Sequence, residues 1–196
     1  DLYWKAKNIE GVVTIGQAGI QFCLARPEEL SISDSDAEKL RSSAKALAYN
    51  VASFTWPGWD ELGIDPTPEQ TAIGLECANL NLRLAIELNK PTDKVAMAHW
   101  LLGAHALAAS DFETATEQFK NAIQLAESAG DRFQELVLLN RGYLALAHKL
   151  SGEVDGDSEF DNAVQQLTAL ATEDSLGYAE QLNTARRVFT QANSPK

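Results

Sequence analysis

The sequence predicts an all-α fold of about eight helices. Three observations lead there. Apolar residues recur at three- and four-residue intervals over most of the chain, no stretch alternates as a half-buried strand does, and one two-helix unit is written more than once. The unit is clearest in 92–131, TDKVAMAHWLLGAHALAASDFETATEQFKNAIQLAESAGD. Its first helix, Lys94 to Ala109, carries Val95, Trp100, Leu102, Gly103, Ala106 and Leu107 at helical spacing, and Gly103, Ala104 and Ala108 allow a close helix crossing. Ser110 with Glu113 forms an S-x-x-E capping box for the second helix. That helix buries Phe112, Ala115, Phe119, Ala122 and Ile123, and Gly130 ends it as a left-handed cap.

The other elements follow in chain order. A first helix starts near Asn8 and carries Val12, Ile15, Gly16, Ile20, Phe22 and Leu24; Pro27 is expected to end it, because residues before proline avoid the helical region. After the polar linker SISDSD, Ser35 and Glu38 make a second capping box, opening a helix to about Phe54. In SFTWPGWDELGIDPTPEQ, Pro57-Gly58, Gly63 and two further prolines forbid a continuous helix. Thr67 then caps a helix with Pro68 at its first position, running to Leu88 before Pro91. Beyond the central unit come helices at Phe133–Leu150, Glu159–Ala171 and Leu176–Gln191, and a short tail, Ala192–Lys196.

Leu102-Gly103, Phe112 and Ala115-x-x-x-Phe119 resemble the tetratricopeptide (TPR) repeat. Trp100 stands one place too close to Leu102 for that pattern, Ala106 fills the tyrosine place, and no proline follows the second helix. Gly130-Asp131 and Asn140-x-Gly142 resemble the longer variant of the family. EFDNAVQQL at Glu159–Leu167 mirrors DFETATEQF at Asp111–Phe119, and Ala78-x-x-x-Leu82-x-x-Ala85 has the second-helix pattern. The resemblance implies one domain, 1–196, wound as a right-handed α-α superhelix. Its parts are an N-terminal helix and linker (1–34), a repeat with a loop insertion (35–91), the central repeat (92–131), a repeat with a lengthened turn (132–172), and a capping helix with its tail (173–196). The resemblance also implies a concave groove lined by first helices. It would take Leu47 and Asn50 from the early repeat, Met97, Trp100 and Ala104 from the central one, and Leu136, Leu139, Asn140 and Tyr143 from the next. Asn140 holds the place where longer-type repeats grip a bound peptide's backbone. An ordinary helical bundle is the alternative reading of the same spacing.

Composition narrows the function. A net charge of −12 repels phosphate backbones, so nucleic acid is not an expected partner, and a neutral or basic protein or peptide fits better. No apolar run is long enough to insert through a membrane. Cys23 and Cys77 lie in apolar stretches and are expected as free buried thiols, with a disulfide between them left open. A chain that starts at Asp1 is expected to be processed or cut from something longer.

No catalytic residue, metal site or cofactor is expected. His99, His105 and His148 have no metal-ligand spacing, no G-x-S-x-G is present, and Gly11, Gly16 and Gly19 fit neither phosphate-binding pattern. Asp155-x-Asp157-x-Glu159-x-Asp161 alternates as calcium loops do. Phe160 stands where the sharp turn needs glycine, so a solvated acidic turn is expected instead.

The reading is a non-catalytic module that binds a polypeptide segment in a partly apolar groove. Two alternatives stand beside it: a small-molecule or carbohydrate binder stacking on Trp56, Trp59 and Trp100, and an enzyme whose carboxylates converge only in three dimensions. Trp56-Pro57-Gly58-Trp59 is the segment that bears on the choice. Its rings either fold back onto the helices as a lid or stand exposed for binding, and Leu62 and Ile64 favour the lid. On the register above, Gly103→Leu should overpack a helix crossing at a cost of about 1–3 kcal/mol, and Gly103→Ala should be much milder.

Overall fold

The computed structural model describes residues 2–29, 33–153 and 156–192. Among them it contains eight α-helices and no strand: α1 (Ile9–Glu29), α2 (Asp34–Thr55), α3 (Pro68–Glu87), α4 (Thr92–Ala108), α5 (Phe112–Ser128), α6 (Gln134–Ser151), α7 (Gly156–Leu170) and α8 (Glu173–Ala192). Short 3₁₀ turns at Pro57–Trp59 and Asp131–Phe133 break two of the connections. The all-α class is therefore as the spacing predicts.

Local chemistry sets the helix starts. Thr67 caps α3 in a full capping box: its hydroxyl accepts from the Gln70 N–H, and the Gln70 side chain accepts from the Thr67 N–H. Two other caps differ from expectation. Ser33, not Ser35, caps α2 by accepting from the Asp36 N–H. Asp111, not Ser110, caps α5 by accepting from the Thr114 N–H at 3.1 Å. Ser110 sits in the left-handed region (φ 60°), whereas an N-cap residue has extended backbone. Gly130 does have a positive φ (101°) but an extended ψ (172°), a conformation open essentially to glycine alone, so it redirects the chain into the Asp131–Phe133 turn. α1 continues two residues beyond Pro27, since a proline in a last turn removes only its own N–H bond. α8 begins earlier than expected because Thr172 and Ser175 cap each other's backbone N–H groups. The linker residues 30–32, Asp155 of the carboxylate run, and tail residues 193–196 lie outside the described residues.

Each helix packs on the one before it and the one after it. Contacts also skip one element: α1 with α3, α2 with α4, α4 with α6, and α6 with α8. The even-numbered helices thus form a continuous row, and two of the largest buried side chains, Trp100 of α4 and Tyr143 of α6, lie along it. Two glycines on this row allow close crossings, one with α5 and one with α8. A Cβ on Gly103 would stand 2.8 Å from the Phe119 ring of α5, and one on Gly142 would stand 2.4 Å from the Leu182 side chain of α8.

Candidate functional site, an aromatic cluster and the cleft over it

Trp56 is the centre of the molecule. It follows directly on α2, where Pro57 stops the helix, and its ring turns inward onto the row of even helices. Only 1% of it is exposed, and its indole N–H donates to the Ala104 carbonyl of α4 at 2.9 Å. Around it stand Trp59, Trp100, Tyr143 and Phe189, with ring centroids 5.0 to 6.0 Å away, three of them edge-on. Gly58 is required beside this ring, because a Cβ there would lie 2.3 Å from it. Tyr143 is fully buried and stacks on Phe119; its phenol accepts from the Gln181 side chain at 2.9 Å, and burial drives its pKa far up.

Trp59 is half-buried and borders solvent, its N–H donating to the Ser53 carbonyl at 2.7 Å. Between it and α8 opens a cleft of about 530 Å³, lined by Gly58, Trp59, Glu173, Asp174, Tyr178, Glu180 and Gln181 among others. Tyr178 ties this cleft to the rest of the row. Its phenol is raised first by burial, then by the negative charges of Asp174 and Glu135 and by Tyr49 of α2. The Lys45 ammonium lies 5.8 Å from the Tyr49 ring, and burial followed by Lys90 and Lys94 lowers its pKa. Trp59 and Tyr178 thus give the cleft two aromatic faces, and Glu173, Asp174 and Glu180 give it a carboxylate edge. Glu173, Asp174 and Glu180 make no ion pair among the described residues, while Arg187, further along α8, pairs with Asp60 at 2.7 Å.

The groove residues named from the resemblance separate into two places. Trp100, Ala104, Leu136, Leu139, Asn140 and Tyr143 are all buried, so they form the floor beneath Trp56 rather than an open wall. Asn140 turns its amide back to the Leu136 carbonyl of its own helix, 2.8 Å away. Met97 is half-buried at the edge of the same core. Leu47 and Asn50 lie elsewhere: with Tyr3, Trp4, Ile15 and Phe54 they line an apolar cleft between α1 and α2. Tyr49 of α2, close enough to bear on the Tyr178 phenol of α8, is not a residue that the repeat register selects for the groove. Of the three tryptophans weighed as stacking surfaces, Trp56 and Trp100 spend their faces on each other and on Tyr143, leaving Trp59 at the cleft.

The described part of the carboxylate run is helical rather than a turn. Asp157, Glu159 and Asp161 sit on the first turns of α7 and face Lys149 at 2.5 Å, His148 at 3.6 Å and Arg186 at 2.6 Å respectively. Cys23 and Cys77 are both free and buried, and burial followed by the Glu76 charge pushes the Cys77 thiol up to about 11. No helix among the described residues is long and apolar enough to cross a membrane.

Tyr49, Tyr178 and the α8 carboxylates are the site residues that sequence reasoning missed. The available signal was the four-residue step Asp174, Tyr178, Leu182, which gives α8 an inner face like those of α4 and α6. No protein-family model matches the chain, and no curated protein or solved structure does.

Proposed function

We propose that the chain is a tetratricopeptide-like right-handed superhelix that binds a basic polypeptide segment over its own Trp56. The skipping contacts α2–α4, α4–α6 and α6–α8 support the repeat reading, since first helices of stacked units touch one another in that order. In this reading the insertion fills the deep apolar positions, and the segment lies across Tyr49, Trp59 and Tyr178 instead.

The observation that carries the proposal is the cleft beside Trp59. It joins aromatic faces to three carboxylates that make no ion pair among the described residues. Arginine and lysine side chains suit both features, each cation–aromatic contact contributing about 0.5–1 kcal/mol at an exposed site. The net charge of −12 draws such a segment in.

Fluorescence anisotropy with labelled basic, neutral and acidic peptides tests it. Basic peptides should bind, weaken as salt is raised, and weaken again in a Asp174→Asn/Glu180→Lys variant whose melting temperature is unchanged. Equal binding by acidic peptides, or indifference to that variant, would overturn the proposal.

A further inference from the structure

We propose that the exposed face of α1 is a self-association seam, through which two copies of the chain pair antiparallel about a two-fold axis. From Ile9 to Ala25 the helix has one charged residue, Glu10, in a chain that is 22% charged overall. Gly16 and Gly19 let its other side lie close on Val51 and Leu47 of α2. That packing leaves Thr14, Ile15, Ala18, Gln21, Phe22 and Ala25 outward, with Ile15 63% and Phe22 52% exposed. Trp4, 58% exposed, shares an apolar cleft with Ile15 and extends the patch.

Two features select a second copy as the occupant. The first is shape. Ile15, Ala18, Phe22 and Ala25 follow the three-four-three spacing of a helix-pairing seam, alternating large with small. In an antiparallel pair crossing at the level of Ile20, Ile15 meets Ala25 of the partner subunit and Phe22 meets Ala18 of the partner subunit. The stripe is complementary to itself, which is what a two-fold interface demands. The second is charge. Two chains of −12 repel wherever carboxylates face each other, and the middle of this strip, Gly11 to Ala25, carries none. A single helix seam falls in the small, reversible class of interface, below about 1,200 Å² in total.

Sedimentation velocity across the micromolar range, at about 0.05 M and about 0.5 M salt, tests this. A reversible monomer–dimer equilibrium is expected, with more dimer at high salt because only repulsion is screened; basic-peptide binding would respond the opposite way. Ala18→Glu, at an exposed position, should weaken the dimer by at least about tenfold without changing the melting temperature of the monomer. Phe22→Gln is the second variant, expected to act likewise. A chain that stays monomeric throughout, as it would if this face receives a foreign helix, overturns the inference. So does a dimer that salt weakens or that neither variant shifts.

Discussion

His105 Nε2 lies 2.8 Å from the Ala52 carbonyl, joining α4 to α2 inside the core. A carbonyl only accepts, so the proton is on Nε2, and Nδ1 is left bare with no protein partner. Charging the ring would place a second proton on that buried nitrogen. Burial accordingly lowers the His105 pKa from 6.5 to about 4, against a smaller raising effect of the Ala52 bond.

A pH dependence of stability follows. Because the folded pKa lies below the unfolded one, the unfolded chain binds the proton more readily between pH 6.5 and about 4. Stability is complete above pH 6.5 and falls through that window as pH drops, by on the order of 3 kcal/mol from this group. Denaturant melts of wild type and His105→Gln at matched pH values check it. The variant should lose less stability than wild type over the same interval, and parallel curves would refute the assignment.

At Gly103 the structure sharpens the sequence expectation. The Phe119 ring that a new Cβ would strike is wholly buried and stacked on Tyr143 at 5.4 Å, so it has little room to yield. Even Gly103→Ala should therefore destabilise by about 1–3 kcal/mol, and Gly103→Leu by more, despite alanine's better helix propensity. Thermal melts of both variants decide it. An alanine variant as stable as wild type would show that the α4–α5 crossing relaxes.

The two loop tryptophans should behave unequally. Trp56→Ala leaves a cavity among four aromatic rings and strips a hydrogen bond from Ala104, for a loss of about 3–5 kcal/mol. Trp59→Ala removes a half-buried ring and its bond to Ser53, a loss of about 1–2 kcal/mol. Urea titrations of the single variants give both numbers, and equal losses would contradict the burial difference.

Cys77 should be inert in the folded chain, because little thiolate exists at neutral pH when burial holds the pKa near 11. A thiol-specific reagent should label it in urea and leave it almost untouched in buffer. Rapid labelling in buffer would mean that α3 opens readily.

Helix content and the order of the helices were legible in the sequence, because spacing and capping are local. Thr67 with Gln70 needed no knowledge of the fold. What escaped was whatever depends on a residue's distant neighbours. Trp100 and Tyr143 carry the spacing of groove residues, yet they are covered because a segment inserted after α2 brings Trp56 onto them. Leu47 and Asn50 line a cleft apart from Trp100 and Tyr143 for a related reason. A shift of two residues along a helix changes its facing by more than half a turn, and α2 has no glycine to anchor the register. The cleft combines a loop ring, Trp59, with an α8 face whose acidic start reads on its own as ordinary compensation of the helix dipole.

Trp56 against Phe189 and Asp60 against Arg187 join the second helix region to the last helix, and the ion pair spans 127 residues of chain. A stack whose units touch only their neighbours can lose its ends one at a time, with each step visible as a separate transition. Here releasing α8 would uncover the largest ring in the core, so the last helix cannot peel away alone. Denaturation should then proceed as one event across the chain. Folding bears the matching burden: local helices assemble quickly, but closing this long span comes with an entropic penalty before any contact repays it. Refolding should accordingly wait on the arrival of Phe189 at Trp56, and a chain ending before α8 should be destabilised throughout rather than only at its end.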